Sequence, residues 1–372
     1  MNLKSFNVSL KRLVDDSYDI DIGYDLCGNL IKDLKSGLCR NYKKAAVISD
    51  STVSKLYAEE IVKRMEDNGF LPKLFVFPEG EKSKVRKTKE RLEDEMLESG
   101  FRRDCFVLAI GGGVVTDLAG FLAGTFGRGV PFINYATTLL AAADASVGGK
   151  TAVDTPLATN LIGIFNQPKK VYIDLDTWKT LPKRQLSSGL AETIKHAMMA
   201  DVRFFEFLEE NVTQVFEFDK SACEHIAEKN CEIKYNVVMK DERESSLREI
   251  LNLGHTVGRA IETVSDYRLL HGEALSIGLL AECELSKTLG LMSEGEVDRV
   301  KKLLNKAGLS TDIPEYIDRK ALVDKLYTDK KVRDGKLRFV LQDGIGKIKQ
   351  FGDSWALQVP REDIEKIIIK MK

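Results

Sequence analysis

Residues 105–124 read C-F-V-L-A-I-G-G-G-V-V-T-D-L-A-G-F-L-A-G, and this stretch decides the predicted fold. An apolar run of strand length enters three glycines and then a helix-like stretch, with no loop between them. Glycine at such a junction lets backbone N–H groups approach a phosphate, with the positive end of the helix dipole behind them. The dinucleotide fingerprint is only partly met, because Thr116 stands where its third glycine would be. A tight turn is the alternative.

The same alternation of apolar run and helix-like segment recurs through the first half of the chain. The other apolar runs lie at residues 45–50, 74–77 and 131–136. This alternation predicts parallel βα units that bind ligands at the carboxyl ends of the strands. Asp50 closes the first of these runs, where it would accept a hydrogen bond from a ribose hydroxyl or cap the following helix.

After Pro182 the pattern changes, and long amphipathic helical segments extend to about residue 327. A β-like pair (Leu337–Leu341 and Ile345–Phe351) and a final helix (Glu362–Met371) follow. We therefore predict two domains, 1–180 and 181–372. This division is expected because the chain is longer than a single hydrophobic core usually supports.

Composition limits the classes of partner. The 56 basic and 57 acidic residues nearly cancel, which argues against general nucleic-acid binding and against polybasic membrane binding. The six cysteines form no C-x-x-C pair, as expected in a reduced cytosol. The start resembles no signal peptide, and no apolar run approaches the roughly 20 residues of a membrane helix. We expect a cytoplasmic protein without nucleic-acid or membrane partners.

Two of the four histidines, His255 and His271, lie sixteen positions apart on a helix and at the start of the next. They could meet at a metal ion, or they could be a packed residue and a cap. Glu192 would supply a third ligand of a catalytic zinc shell, with Lys195 one turn further on. Alternatively, Glu192 and His196 form an i, i+4 surface pair. Ser188 is expected to cap this helix.

The stretch V-G-G-K-T (147–151) imitates the end of a P-loop. The full pattern fails, because Asp144 stands at the position of its first glycine and no strand leads directly into it. Lys150 and Asp144 remain a cation and a carboxylate that would lie near one ligand.

Several longer strings closely resemble the 3-dehydroquinate synthase family of sugar phosphate cyclases. They include I-G-G-G-V-V-T-D-L-A-G-F, T-T-L-L-A-A-A-D-A-S-V-G-G-K-T-A-V, L-P-K-R-Q-L-S-S-G-L-A-E-T-I-K-H, D-E-R-E-S-S-L-R-E-I-L-N-L-G-H-T-V-G and H-G-E-A-L-S-I-G. The resemblance covers essentially the whole chain in order. It implies an α/β, Rossmann-like NAD-binding domain, a mainly α-helical metal-binding domain, an active site between them, and a homodimer.

The resemblance also implies roles for residues that match the family's motifs. Its metal ligands correspond to Glu192, His255 and His271. Its catalytic residues correspond to Asp144, Lys150, Lys195 and Glu244. Its substrate contacts correspond to Arg128 (reaching the neighbouring subunit's site), Lys150, Asn160, Lys234, Arg248 and Asn252. Lys330 of D-K-K (329–331) is expected to add another, and Arg259 is a further expected substrate contact that matches no family residue. The family's NAD contacts correspond to Asp50, Glu81, Lys84, Gly111, Gly112, Gly113, Asp117, Thr137 and Thr138.

The implied reaction converts 3-deoxy-D-arabino-heptulosonate 7-phosphate to 3-dehydroquinate and phosphate, a step of the shikimate pathway. It combines transient oxidation by NAD, β-elimination of phosphate, re-reduction, ring opening and aldol closure. The implied metal is divalent, zinc first and cobalt as the alternative. Lys234 and Arg248 suit the substrate carboxylate. Lys150, Asn160, Asn252 and Arg128 suit its phosphate, and Lys330 is expected to add another donor.

Two positions depart from the family pattern. Arg259 stands where the family has a second histidine, and Thr159 replaces a pocket lysine. The lysine that Thr159 replaces and the arginine gained at position 259 belong to the same general pocket. We therefore hypothesise that Arg259 compensates for the missing lysine in holding phosphate. Because an arginine stays protonated, it cannot serve as a general base.

Three rival functions stay open. One is a cyclase acting on sedoheptulose 7-phosphate or another sugar phosphate, which retention of Lys234, Arg248 and Asn252 disfavours. Another is a metal-dependent NAD alcohol dehydrogenase, which would produce NADH. The third is a non-catalytic paralogue, which retention of the metal ligands disfavours.

Overall fold

The computed structural model describes residues 4–11, 13–327 and 337–371. The predicted phosphate ligand Lys330 lies outside the described residues. The described strands are β1 (Asp19–Gly23), β2 (Lys44–Asp50), β3 (Leu71–Phe77), β4 (Cys105–Gly111), β5 (Phe132–Ala136), β6 (Lys150–Thr155), β7 (Ala158–Phe165), β8 (Lys170–Asp174), β9 (Leu337–Val340) and β10 (Ala356–Val359).

The second half of the chain is mainly helical, as the periodicity predicts, whereas the helix at Cys27–Lys35 was not predicted. The described α-helices are α1 (Cys27–Lys35), α2 (Glu59–Asp67), α3 (Arg86–Glu98), α4 (Gly113–Thr125), α5 (Lys183–Ala200), α6 (Val202–Asn211), α7 (Lys220–Lys240), α8 (His255–Val264), α9 (His271–Thr288), α10 (Glu294–Lys306), α11 (Arg319–Leu326) and α12 (Arg361–Lys370). Among the described residues, none of these helices has the length and apolar character needed to cross a membrane.

A six-stranded sheet, parallel throughout, has the order β1-β8-β5-β4-β2-β3. The four apolar runs predicted as strands are β2, β3, β4 and β5, so the α/β prediction is confirmed. The chain runs from β2 outward to β3 and then returns to β4 on the other side of β2. In open sheets this reversal creates a ligand crevice at the carboxyl ends of the two strands, here β2 and β4.

Both faces of the sheet are buried. Leu108 of β4 joins an apolar cluster with Leu30 of α1, whereas its neighbour Val107 joins a second cluster with Leu92 of α3. Because alternate residues of a strand point to opposite faces, this explains why β4 is a continuous apolar run rather than an alternating one.

A third apolar cluster fills the helical half and includes Val171 and Ile173 of β8. Helix α9 lies at its centre, in backbone contact with its neighbours. A Cβ on Gly272 would lie 2.1 Å from the carbonyl oxygen of Ser188 in α5, and one on Gly278 would lie 2.1 Å from that of Gly254 before α8. Only glycine permits this approach, which brings α5, α8 and the start of α9 together.

The predicted second strand at Ile345–Phe351 is wrong. Strand β9 pairs antiparallel with β10 instead. The intervening chain turns at Gly344, Gly346 and Gly352, whose φ angles are 83°, 87° and 60°. Such left-handed residues interrupt an extended strand. The predicted final helix at Glu362–Met371 is confirmed within one residue by α12.

One further local prediction needs correction. Helix α5 begins at Lys183 after Pro182, so Ser188 lies inside the helix, and its hydroxyl accepts the N–H of Gly272 at 3.0 Å instead of capping. Arg248 and Asn252 lie on a short 3₁₀ helix separate from α8, because Gly254 is left-handed, with φ of 78°.

Candidate active site

Glu192 of α5, His255 of α8 and His271 of α9 converge at one point. One ligand atom from each lies within 4.8 Å of the other two. Glu192 Oε1 is 3.0 Å from His271 Nε2 and 3.5 Å from His255 Nε2. A carboxylate and two imidazoles are a common donor set for a catalytic zinc ion. The predicted triad is therefore assembled by three helices rather than spread over the surface.

The outer nitrogens of both histidines are already engaged. His255 Nδ1 lies 3.1 Å from the carbonyl oxygen of Leu253, and His271 Nδ1 lies 2.9 Å from Glu262 Oε1. An acceptor at Nδ1 fixes the proton there and directs the lone pair of Nε2 inward, as in metal sites with oriented histidine ligands. The residues present therefore fit a divalent cation.

The charges of the triad are strongly perturbed. Burial, assisted by the ammonium of Lys195, lowers the pKa of His255 to about 3. Burial would also lower the pKa of His271, but the carboxylates of Glu262 and Glu192 outweigh it and raise that pKa to about 10. Although burial opposes ionisation of Glu192, Lys195 and His255 keep its pKa well below the usual value. The centre holds an anionic carboxylate whether or not His271 is protonated.

Lys195 is fixed one turn along α5 from Glu192. Its Nζ lies 2.5 Å from Glu192 Oε2 and donates to the carbonyl oxygen of Leu251 at 3.0 Å. Its neighbour His196, expected as a surface alternative, is fully buried against Asn230. The surface-pair alternative for Glu192 and His196 is therefore wrong.

A cleft of about 760 Å³ opens beside the triad. It is lined by most of the residues predicted to contact substrate, which come from both halves of the chain. The predicted residues in its wall are Asp117, Asp144, Lys150, Asn160, Lys234, Glu244, Arg248, Asn252, His255 and Arg259. The arrangement therefore places a wall rich in charged side chains next to the candidate metal centre.

Two of the cleft's lysines are paired with carboxylates. Lys234 Nζ donates to Asp144 Oδ1 at 2.5 Å. Lys150 forms a close ion pair with Glu244, which also accepts from Asn252 Nδ2 at 2.8 Å. Burial lowers the pKa of Lys150 to about 8, with Glu244 opposing the shift. An anionic ligand at Lys150 must therefore compete with Glu244.

Arg248 is only 1% exposed, although it lines the cleft. Its guanidinium donates to the carbonyl oxygens of Glu242 and Gly148, and its Nε has no hydrogen-bond partner among the described residues. Burial lowers the pKa of Arg248, with Asp144 opposing the shift. A buried, unpartnered N–H in a cleft wall is a donor available to a ligand.

The glycine cluster forms a narrow cradle at the end of β4. A Cβ on Gly111 would lie 2.4 Å from Val115, and one on Gly112 would lie 3.1 Å from Thr138. Gly113 begins α4, so the helix dipole points at the cradle. Thr137, at the end of the adjacent β5, has a buried hydroxyl without a hydrogen-bond partner among the described residues. These features fit a dinucleotide phosphate.

The remaining predicted NAD contacts flank this cradle. Asp50 Oδ1 accepts the N–H groups of Thr52 and Val53, both at 2.9 Å, so it has the capping role that the sequence left open. Lys84 is 5% exposed, forms a close pair with Glu81 and lies 3.5 Å from Asp117. Burial raises the pKa of Asp117 to about 7, although Lys84 opposes it.

Arg128 lies away from the cleft wall, on an exposed turn with φ of 71°. Thr159, the first departure from the family pattern, hydrogen-bonds the side chain of Tyr267. Arg259, the second, lines the cleft.

Sequence reasoning missed Arg338 and Asp154. Arg338 of β9 lines the cleft and donates to Glu249 at 3.1 Å and Ser354 at 2.6 Å. Asp154 of β6 is 7% exposed and lies between Lys84 and Asn160. Neither residue belongs to a local motif that could have identified it, because their contacts come from distant segments.

Comparison with known proteins supports the same class of enzyme. Models of the 3-dehydroquinate synthase N-terminal and C-terminal regions match residues 74–188 and 189–332. The 3-dehydroquinate synthase of Pelobacter propionicus is 45% identical over 336 residues, which cover 90% of this chain and 92% of the relative.

Two solved structures are similar over nearly their whole length. The 2-epi-5-epi-valiolone synthase of Streptomyces hygroscopicus subsp. jinggangensis, with NAD⁺ and Zn²⁺ bound, is 28% identical with a TM-score of 0.86 and covers 98% of each chain. A 2-deoxy-scyllo-inosose synthase complexed with carbaglucose-6-phosphate, NAD⁺ and Co²⁺ is 25% identical with a TM-score of 0.87, covering 95% of this chain and 96% of the other.

The parallel sheet, the helical half and the site between them define a sugar phosphate cyclase fold. Within that class, the chain belongs to the 3-dehydroquinate synthase family. Its activity is the carbon–oxygen lyase reaction of that family, which forms 3-dehydroquinate with release of phosphate.

Proposed function

We propose that this cleft converts 3-deoxy-D-arabino-heptulosonate 7-phosphate to 3-dehydroquinate with NAD and a divalent cation, zinc first, as cofactors. The observation that carries the proposal is the convergence of Glu192, His255 and His271 at the end of a cation-lined cleft. When bound, the cation supplies Lewis acidity toward the substrate hydroxyls, and NAD accepts and returns a hydride. The side chains of this chain bind and orient the substrate around these two cofactors.

The carboxylate end of the substrate suits Lys234 and Arg248. Arg248 offers its unpartnered Nε–H, and Lys234 is already held by Asp144. Asp144 opposes the lowering of the pKa of Lys234 by burial, and an anion that binds at Lys234 must compete with the Asp144 carboxylate. Lys195, fixed against Glu192, is the donor to a substrate hydroxyl at the metal centre.

The phosphate end suits Lys150, Asn252 and Asn160. Glu244 holds the first two in the ligand-free enzyme, and its carboxylate must move aside when phosphate enters. We also propose that Arg259 contributes a cation here in place of the lysine that Thr159 replaces. Since Arg259 stays protonated, removal of the carbon-bound proton falls to the departing phosphate or to a water.

The dinucleotide lies, in this proposal, along the carboxyl edge of the sheet. Its phosphates would contact the backbone of Gly111, Gly112 and Gly113 and the hydroxyl of Thr137. The remaining assigned contacts are Thr138, Asp50, Glu81, Lys84 and Asp117.

The proposal also includes the oligomeric state and the domain division of the protein. We infer a homodimer in which Arg128 reaches the phosphate of the neighbouring subunit's substrate. We also infer a division into domains 1–180 and 181–372, with the active site between them. Its exposed position leaves Arg128 available for such a contact.

The test supplies the heptulosonate phosphate, NAD and zinc and follows release of inorganic phosphate and net NADH. We expect phosphate release with no net NADH. Phosphate release from sedoheptulose 7-phosphate in its place would overturn the substrate assignment, and net NADH formation would indicate a dehydrogenase.

A further inference from the structure

Asp154 joins the two ligand-binding sides of the cleft. It lies on β6 at the irregularity where the register with β7 shifts, between Val153 and Thr155. Its backbone N–H donates to the carbonyl oxygen of Lys84 at 2.7 Å, and Val85 forms a parallel bridge with it. The β6–β7 hairpin is therefore bound through Asp154 to the segment that carries Glu81 and Lys84.

The two carboxylate oxygens of Asp154 have different partners. Oδ1 accepts the backbone N–H of Asn160 at 2.8 Å. Oδ2 lies 3.9 Å from Lys84 Nζ and has no hydrogen bond among the described residues. One buried carboxylate thus contacts a residue assigned to substrate phosphate and the cation of the NAD side.

Asn160 needs such support because its backbone is strained. Its φ is 55°, in the left-handed region that non-glycine residues adopt at a cost. The hydrogen bond from its N–H to Asp154 Oδ1 holds this conformation, and the conformation directs the side chain into the cleft wall. Without Asp154, the half-buried N–H of Asn160 would lose its acceptor.

We propose that Asp154 is a positioning residue that fixes Asn160 for the substrate phosphate and couples that position to the Lys84 segment on the NAD side. The inference rests on the proposed function for the roles of Asn160 and Lys84. It adds a residue that touches neither ligand, and a physical link between the two binding events.

Two substitutions separate the two contacts. Asp154→Asn keeps an oxygen for the N–H of Asn160 but removes the negative charge beside Lys84. Asp154→Ala removes both. Asn160→Gly, which tolerates the left-handed backbone, removes only the side chain. Asp33→Asn is the matched control, because Asp33 pairs with the largely buried Lys170 far from the cleft.

Binding of inorganic phosphate and of NAD to the purified full chain gives readouts that do not require turnover. We expect Asp154→Ala to raise the Kd for phosphate roughly 5- to 100-fold, the range for loss of one buried hydrogen bond. Asp154→Asn should restore phosphate binding to within about threefold of the unmodified protein, because an amide oxygen also accepts. Both variants should change the Kd for NAD at least about threefold, because each removes a negative charge 3.9 Å from Lys84 Nζ. An unchanged Kd for NAD in both would remove the link to the NAD side.

Steady-state kinetics with the heptulosonate phosphate provide a second test of the role of Asp154. We expect Asp154→Ala to raise KM for the heptulosonate phosphate far more than it lowers kcat, with KM rescued in Asp154→Asn. Unchanged phosphate affinity in a folded Asp154→Ala protein, or an Asp154→Asn protein as impaired as Asp154→Ala, would overturn the proposal. If the unmodified chain fails to release phosphate from the heptulosonate, the proposed function fails, while the binding titrations still decide the role of Asp154.

Discussion

Glu262 illustrates how the metal centre depends on a residue that is not itself a ligand. Its carboxylate holds His271 Nδ1 at 2.9 Å and leaves Nε2 for the cation. We predict that Glu262→Gln lowers metal affinity about 10- to 100-fold, the usual effect of losing such a partner. Competition with a chelator measures this change.

The control for that experiment is His225→Ala. His225 packs against Phe207 with the rings tilted and their centroids 4.3 Å apart, and it lies outside the candidate ligand group. Metal affinity should be unchanged in this variant. Equal metal affinity in Glu262→Gln and the unmodified protein would show that Glu262 does not orient His271.

Lys150 gives a prediction about pH. Because its pKa is lowered to about 8, about nine-tenths of its ammonium is charged at pH 7 and about one-tenth at pH 9. Sulfate is a dianion over this whole range, so a change in its affinity reports groups of the protein and not a change in its own charge. The Kd for sulfate should rise about tenfold from pH 7 to pH 9 at constant ionic strength.

The matched variant for the pH experiment is Lys150→Arg, which stays protonated and should flatten the profile. A profile with the same inflection in Lys150→Arg would assign the titration to another group.

The residues of the triad could be predicted only in part from the sequence. Glu192, His255 and His271 each had an ordinary structural alternative, and family motifs rather than spacing chose between them. Glu262 could not be predicted at all, because its contact depends on how α8 meets α9 in three dimensions. Asp154 likewise could not be predicted, because its contacts with Lys84 and Asn160 depend on the three-dimensional fold.

At the scale of helices, glycine decides how closely α9 approaches α8. A Cβ on Gly278 would lie 2.1 Å from the carbonyl oxygen of Gly254 and 2.8 Å from the N of Gly258. We predict that Gly278→Ala destabilises the protein by about 1–3 kcal/mol, as overpacking does. It should also weaken metal binding, because α8 carries His255.

Gly295→Ala provides the comparison, since a Cβ there meets nothing within 4 Å on helix α10. This variant should gain about 0.5–1 kcal/mol from helix propensity. Urea unfolding compares the two variants. A Gly278→Ala protein as stable as Gly295→Ala would show that the contact between α8 and α9 relaxes freely.

Strands were predicted where burial makes them continuous apolar runs, as in β4. The short edge strand β1 reads D-I-D-I-G and was missed because its flanking charges resemble a loop. The β6–β7 hairpin was hidden by V-G-G-K-T, which imitates a phosphate-binding loop. The prediction of the last strand pair was wrong because the turns between segments determine which segments pair in a sheet. Strand propensity alone does not specify those turns.

At the scale of the assembly, the proposed role of Arg128 predicts complementation between inactive subunits. Arg128→Ala lacks the arginine, and His271→Ala lacks a metal ligand. After random mixing and reassembly, half of the dimers would be hybrids, and one site in each hybrid would be complete. We therefore expect about a quarter of normal phosphate release from the mixture.

The control is each variant reassembled with itself, which should stay inactive. Mixtures no more active than their components would place Arg128 outside the neighbouring site, whether or not the protein is a dimer.

The pairing of Lys150 with Glu244, and of Lys234 with Asp144, has a consequence for ligand discovery. A small fragment that carries a single anion and binds at Lys150 or Lys234 must separate that pair without the compensating contacts of a full substrate. Screening with such fragments should therefore yield few hits, although the cleft is rich in cations. A molecule that spans both pairs gains from each displacement within a single association, so the first useful inhibitors should carry two linked anions.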